Sequence, residues 1–100
     1  MSAAAQAMEG LQQQLQALHA ALAADDDARA AEMVRAHDHD LRRYLATHGT
    51  AARPALAALL ERQGEAMADL RARREAASLA LRQGRRSTQA ARAYLRAGAL

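Results

Sequence analysis

The fold is decided by the stretch from Pro54 to Ala97, PALAALLERQGEAMADLRARREAASLALRQGRRSTQAARAYLRA. Over these 44 residues no further proline or turn cluster interrupts a helical pattern. A helix of this length would measure roughly 65 Å, at about 1.5 Å per residue. We therefore predict a third helix over about 54–97, twice as long as the two before it, over about 3–23 and 27–48.

The composition excludes strands. Thirty of the 100 residues are alanine and fourteen are leucine, whereas Cys, Trp, Phe, Ile, Lys and Asn are absent. Ala, Leu, Arg, Gln, Glu and Met are the strongest helix formers, and residues that favour strands are almost lacking. We predict an all-α fold, an elongated antiparallel three-helix bundle or coiled coil that forms a single domain over residues 1–100.

The ends of the predicted helices carry capping residues. Ser2 is a suitable N-cap for the first helix, and the run Asp25–Asp27 both ends it and starts the second. Gly49 is a natural C-cap of the second helix. Pro54 fits the first turn of the third helix, where its missing N–H does no harm.

Each helix has an apolar face that would form the bundle core. The first helix carries Met8, Leu11, Leu15, Leu18 and Leu22 at heptad spacing. The second presents Ala30, Val34, His37, Leu41, Tyr44 or Leu45, and His48. For the third helix we assign the face to Leu56, Leu60, Gln63, Met67, Leu70, Arg74, Ala77, Leu81, Gly84, Thr88, Ala91 and Leu95.

The second half of the third helix is poorly stocked with large apolar residues. Gly84 lies within it and is followed by Arg85, Arg86 and Ser87. A break at this point, with Ser87 capping a short fourth helix, is left open beside a continuous helix. In either case half of the long helix has no partner within the chain, although its apolar face continues. This mismatch indicates a binding protein rather than an enzyme.

The sequence contains few residues that could support catalysis or bind a cofactor. The chain has no cysteine, and its five glycines are isolated, so that no phosphate-binding loop can form. His37 and His39 would point roughly 200° apart on a helix, and only His37 with Asp40 could share a face. We expect no enzymatic activity, no cofactor and no metal, with His37 in the core and His39 facing solvent.

Arginine is concentrated in the C-terminal half. Residues 1–50 carry four Arg and seven acids, a net charge of −3, whereas residues 51–100 carry ten Arg and four acids, a net charge of +6. Arg71, Arg74, Arg82, Arg85, Arg92 and Arg96 form a stripe at helical spacing. Such a stripe is compatible with a solvated face, an acidic protein partner, a nucleic acid or a membrane surface.

The absence of cysteine fits a reducing compartment, and residues 1–6 have neither the basic region nor the apolar core of a signal peptide. The longest apolar run, 55–60, is too short to span a bilayer. From these features we expect a soluble cytoplasmic protein that does not insert into membranes.

The sequence also resembles small flagellar export chaperones of the FliT type. The first helical hairpin of that family is similar to residues 20–25, AALAAD, followed by residues 33–42, MVRAHDHDLR, with an aspartate marking the turn. Its long C-terminal helix resembles residues 59–63, LLERQ, and 70–74, LRARR, and then Gly84-Arg85-Arg86 and Ala93-Tyr94. FlgN-type chaperones share the three-helix layout and are the second choice.

The resemblance implies a cytoplasmic chaperone of the flagellar type III export system. Such a protein holds the C-terminal helical segment of a filament-cap protein or of a hook–filament junction protein. On the third helix we assign the apolar contacts to Leu70, Ala77, Leu81, Ala91, Tyr94 and Leu95, and the contacts to acidic client residues to Arg74, Arg82 and Arg85.

Two alternatives remain at this stage. In the first, the chain is a homodimeric structural or adaptor protein in which two long helices pair antiparallel and cover each other. In the second, the arginines bind nucleic acid, although no helix-turn-helix motif is evident and Tyr44 and Tyr94 are the only aromatic residues available for stacking. A homodimer is also compatible with the chaperone hypothesis.

Overall fold

A computed structural model of the protein describes residues 2–98. The chain forms three helices: α1 spans Ala3–Ala23, α2 spans Asp27–His48 and α3 spans Arg53–Arg96. The described residues contain no strand. The all-α class and the three predicted helices are thereby confirmed, with boundaries that differ by at most one residue from those expected.

The capping residues act as the sequence predicts. Ser2 Oγ accepts a hydrogen bond from the Ala5 backbone N–H over 3.1 Å, and Asp26 Oδ1 accepts one from Arg29 over 3.2 Å. Gly49 ends α2 at φ 70°, a conformation that favours glycine. Pro54 is the second residue of α3, inside its first turn.

The chain divides into two structural units, Met1–Leu70 and Arg71–Leu100, which we call the N-terminal and C-terminal units. The N-terminal unit holds the core. Leu15, Leu18 and Leu59 and the side chain of His37 are the largest fully buried groups. Backbones of α1 and α2 approach with Cα atoms within 8 Å, as their small residues allow. Burial of such leucines supplies most of the stability of a small bundle.

The buried face of α1 matches the heptad prediction in full. Met8, Leu11, Leu15, Leu18 and Leu22 are all buried. On α2, Ala30, His37, Leu41 and Tyr44 are buried, while Val34, Leu45 and His48 are partly exposed. The sequence left Tyr44 and Leu45 as alternatives, and the structure gives the core position to Tyr44.

Up to Leu70, the predicted core face of α3 was wrong at two positions. The buried residues are Leu56, Leu59, Gln63, Ala66 and Leu70, whereas Leu60 is 52% exposed and Met67 is 40% exposed. Leu59 and Leu60 are adjacent, as are Ala66 and Met67, so either series keeps a heptad spacing. Side-chain type cannot separate Leu59 from Leu60, and at the second position the bundle buries Ala66 in preference to Met67.

The possible short fourth helix is not formed. Helix α3 continues through Gly84 and Ser87 to Arg96 without interruption. At Gly84 the backbone carbonyl accepts a hydrogen bond from Thr88 Oγ1 over 2.9 Å. A single internal glycine weakens a helix by only about 1 kcal/mol, which its neighbours with high helix propensity can offset. Ser87 is therefore a helix-interior residue and not a cap.

Candidate protein-binding surface

The C-terminal unit presents its side chains to solvent. From Arg71 to Gly98 no residue is buried, and all of them except the half-buried Arg73 are exposed. Large apolar groups are among them, since Leu81 is 62% exposed and Leu95 is 54% exposed. Helices in proteins gain most of their stability by packing an apolar face rather than from helix propensity. These features are typical of a surface that another molecule covers.

One face of this helix combines apolar and basic residues. Successive residues turn by about 100°, which places Leu81 and Leu95 within roughly 40° of each other and about 21 Å apart along the axis. Ala77 and Ala91 lie on the same side by the same geometry. Arg74 and Arg85 lie within roughly 40° of Leu81, so that guanidinium groups flank the leucines.

Two residues assigned to the partner surface from sequence stand apart from this set, one because it is buried and one because it faces another side. Leu70 is 4% exposed and belongs to the core of the N-terminal unit, so its side chain is not available to a partner. Tyr94 is exposed but lies roughly 100° around the helix from Leu95. Arg82 is likewise about 100° from Leu81 and borders the face.

The C-terminal unit is also the basic part of the molecule. Residues 71–100 contain eight Arg and one acid, Glu75, which gives a net charge of +7. Residues 1–70 contain six Arg and ten acids, which gives −4. The charge boundary coincides with the boundary between the units at Leu70. A partner that covers the C-terminal unit therefore needs acidic residues beside its apolar ones.

The sequence analysis missed a second exposed apolar surface, in the N-terminal unit. Leu60 and Met67 are exposed at the border of the buried face of α3, and Ala57 and Gly64 each precede one of them by three residues. An adjoining groove of about 340 Å³ is lined by Leu41, Leu45, Thr50, Arg53, Leu56, Ala57 and Leu60. The seven-residue spacing of Leu60 and Met67 was the available signal.

The core of the N-terminal unit contains one buried polar pair. Gln63 Nε2 lies 3.0 Å from His37 Nδ1, which joins α3 to α2. The imidazole is fully buried and Gln63 is 6% exposed. The other ring nitrogen of His37, Nε2, is buried without a hydrogen-bond partner among the described residues. His37 thus occupies the core position that the sequence predicted, where it contacts Gln63 of α3.

Burial lowers the pKa of His37 below its usual value of 6.5, because the imidazolium would lose its hydration. The backbone of Leu11 and the carboxylates of Asp40 and Asp38 act in the opposite direction but do not outweigh burial. At neutral pH the ring is therefore uncharged. A neutral ring that accepts from Gln63 at Nδ1 carries its proton on Nε2.

The carboxylate of Asp40 forms a hydrogen bond within the bundle. Its Oδ2 accepts a hydrogen bond from Gln14 Nε2 over 2.6 Å, which joins α2 to α1. Asp38 forms an exposed ion pair with Arg42 over 3.0 Å. Within residues 2–98 no three His, Cys, Asp or Glu side chains are grouped so that they could hold a metal ion. Within this segment His37 and Asp40 thus each link α2 to a neighbouring helix through a glutamine.

Comparison with protein-family models, with curated proteins and with solved structures finds no match to this chain. The flagellar resemblance is thus carried by the quoted residues alone. None of the helices within residues 2–98 combines the length and the apolarity that crossing a membrane would require.

Proposed function

We propose that the protein binds an amphipathic helical segment of another protein along its C-terminal unit. One observation carries the proposal: between Arg71 and Gly98 the helix buries no residue, although Leu81 and Leu95 share a face. A client helix laid along this face would remove both leucines from water. This is the helix-in-groove type of recognition, in which anchors recur at intervals of three, four and seven residues.

The charge of the C-terminal unit defines the kind of client. Arg74 and Arg85 flank the apolar face, and Arg82 borders it, so the client helix should carry Asp or Glu beside its apolar residues. The arginine stems would also cover part of the apolar surface while their guanidinium groups stay hydrated. We therefore infer a client segment that is acidic and amphipathic and that folds when it binds.

The resemblance to FliT-type and FlgN-type proteins makes the proposal more specific. On this basis the client is the C-terminal segment of a filament-cap or hook–filament junction protein, and the protein acts as its chaperone in the cytoplasm before export. The same resemblance supports assignment to bacterial flagellum biogenesis and type III secretion. The contacts would be made by Ala77, Leu81, Ala91 and Leu95, with the flanking arginines.

The proposal is tested by capture of client from the lysate of a flagellated bacterium with the full chain as bait. The test variant carries Leu81→Asp and Leu95→Asp, which place two charges on the apolar face. A matched control is Leu79→Asp, because Leu79 is 49% exposed and lies roughly 200° from Leu81. We expect wild type and control to recover one flagellar structural subunit and the test variant to lose it.

Hydrogen exchange with the recovered client gives a second readout. Residues 71–96 should gain protection from exchange when the client binds. Without a client this part of the helix has no apolar packing, so its backbone hydrogen bonds open readily. Protection confined to residues 1–50 would refute binding at the C-terminal unit. Recovery of no subunit by any of the chains would remove the flagellar assignment.

Nucleic acid is the competing ligand for the arginines. If they bound phosphates, affinity would fall steeply with salt, with a slope that reflects the number of phosphates neutralised. Titration of labelled DNA and RNA at low ionic strength separates the two functions. Binding that survives Leu81→Asp but is lost in Arg82→Gln with Arg85→Gln would favour nucleic acid over a protein client.

A further inference from the structure

The arginines of the C-terminal unit lie along one edge of its apolar face. Angles around the helix are counted here from Leu81, positive in the direction in which the chain turns as it advances, by about 100° per residue. The apolar face, with Ala77, Leu81 and Leu95, spans roughly −40° to 0°. Six exposed arginines lie between roughly +20° and +100°, and we call them the arginine edge: Arg71, Arg74, Arg82, Arg85, Arg92 and Arg96.

The opposite edge of the apolar face is almost without charge. Between roughly −60° and −120° the helix presents Ala80, Gly84, Ser87 and Ala91. Arg73 is the one charged residue on this edge within residues 71–96, and it is half-buried and already engaged in an interaction within the chain. The apolar face is therefore asymmetric, with cationic groups along one side only.

The arginine edge is not neutralised within the chain. Glu75 is the one acid among residues 71–98 and follows Arg71 by four residues. None of the six arginines forms an ion pair with an acidic side chain in the part of the chain that the structure describes. Helix α3 is continuous through Gly84, so the edge runs unbroken for about 38 Å. Its guanidinium groups are thus available to the acids of a partner.

We propose that the C-terminal unit accepts a client helix in one direction only, which is set by the edge of the client's own apolar face that carries its acids. This inference rests on the proposed function. When two helices pack face to face, an antiparallel partner brings its positive-angle edge beside the arginine edge, and a parallel partner brings its negative-angle edge there. Charges that border an apolar seam set the orientation of paired helices in the same way in coiled coils.

The rule can be stated in terms of the client's sequence. A residue four positions after an apolar anchor lies roughly 40° to its positive side, as Arg85 does relative to Leu81, whereas a residue three positions after it lies roughly 60° to its negative side. A client whose acids follow its anchors by four residues therefore docks antiparallel to α3. A client whose acids follow by three docks parallel. In the reverse orientation its carboxylates would lie beside Gly84 and Ala91, away from the arginine edge.

Disulfide trapping of synthetic peptides on the full-length chain tests the direction. The protein has no cysteine, so Ala77→Cys and Ala91→Cys each introduce a single thiol, at sites about 21 Å apart along the apolar face. Two helical peptides of about 21 residues, roughly 30 Å long, have the same composition and a leucine at every seventh position. Their glutamates follow the leucines by four residues in one peptide and by three in the other. Each peptide carries one cysteine in its first turn, in line with the leucines.

The two peptides should be trapped at opposite ends of the face. We expect the four-residue peptide to cross-link to Ala91→Cys roughly tenfold more than to Ala77→Cys, because several exposed ion pairs depend on its direction. The three-residue peptide should show the reverse preference. A peptide with glutamine in place of glutamate should bind more weakly and without preference. Leu79→Cys faces away from the apolar face and measures the background. The same preference for both glutamate peptides, or none, would overturn the proposal.

A matched pair of double variants separates the arginine edge from net charge. Arg85→Gln with Arg92→Gln removes two charges from the edge and should reduce the preference of both peptides. Arg73→Gln with Arg86→Gln removes the same charge from other sides of the helix and should retain the preference. An equal reduction in the two variants would show that overall charge governs the binding, and would refute the rule.

The outcomes also distinguish this inference from the proposed function on which it rests. Peptides that are trapped on the face above the Leu79→Cys background but without a preferred direction would refute the direction alone. Peptides that are never trapped above that background would overturn the client face together with the direction. If duplex DNA displaced both peptides at physiological salt, the edge would be a phosphate-binding surface, and the proposal would again be overturned.

Discussion

Gln63 on α3 and His37 on α2 share a hydrogen bond of 3.0 Å in the middle of the N-terminal core. Both residues occupy positions of the apolar faces that leucine could fill. A buried polar group without a partner costs more than the net gain from one hydrogen bond. The pair therefore ties the register of α3 to that of α2, because a shift of either helix would leave two polar groups buried and unsatisfied.

Replacing one member of this pair should cost more than replacing both. Gln63→Leu leaves His37 Nδ1 unpaired in the core and should lower the free energy of unfolding by about 1–3 kcal/mol. His37→Leu should lower the free energy of unfolding by a similar amount, because it leaves the buried Gln63 amide without its partner. The double variant should be close to wild type, or more stable. Urea unfolding of the four proteins, followed by circular dichroism, completes the double-mutant cycle. Strictly additive losses would refute the coupling.

His37 should make the fold sensitive to mild acid. Its pKa in the folded state is lowered below 6.5 by burial, whereas the unfolded chain titrates near the usual value. As the pH falls through about 6.5, the unfolded state takes up the proton first, so stability decreases until the folded pKa is passed. Urea midpoints between about pH 7.5 and pH 5.5 should decline in wild type.

The control for this pH dependence is the His37→Leu, Gln63→Leu double variant, which keeps every other ionisable group. Its decline over the same interval should be clearly smaller than that of wild type, because the buried imidazole is gone. Equal slopes in the two proteins would assign the acid sensitivity to other groups.

Local signals in the sequence were sufficient for the helices but not for the choice of face on α3. Ser2, Asp26, Gly49 and Pro54 set the helix ends through capping and backbone geometry, which act within a few residues. The buried face of α3 depends on how it meets α1 and α2, and adjacent apolar residues leave two choices. The position of His37 followed from spacing, whereas its partner Gln63 required the packed bundle.

Part of the candidate surface could also be predicted from the sequence. The spacing of Leu81 and Leu95 and the flanking arginines is a property of one helix, and sequence suffices to place them. The burial of Leu70 could not be predicted, because the end of the core cannot be located from a periodicity that continues beyond it. Tyr94 was included for its size, although helical geometry already places it on another side.

Replacement by alanine should lower stability at Gly49, which follows α2, and raise helix stability at Gly84, which lies inside α3. Gly49 has φ 70°, so Gly49→Ala introduces strain and should destabilise the fold by about 1 kcal/mol. Gly84 lies inside α3, and an added Cβ would meet nothing within 4 Å. Gly84→Ala should therefore increase the helicity of residues 71–96, by about 1 kcal/mol of helix propensity. Thermal unfolding would detect the first change, and hydrogen exchange the second. If exchange of residues 71–96 is not slower in Gly84→Ala than in wild type, the continuous helix is contradicted.

The face that α3 buries can be tested with two adjacent leucines. Leu59 is 2% exposed and Leu60 is 52% exposed, although both are leucines on the same helix. Leu59→Ala removes a buried side chain and leaves a cavity, so it should cost about 2–5 kcal/mol of stability. Leu60→Ala should cost much less, because about half of its side chain is already exposed. Urea unfolding of both variants and of wild type measures the difference. A larger loss for Leu60→Ala would show that α3 packs on the face first inferred from the sequence.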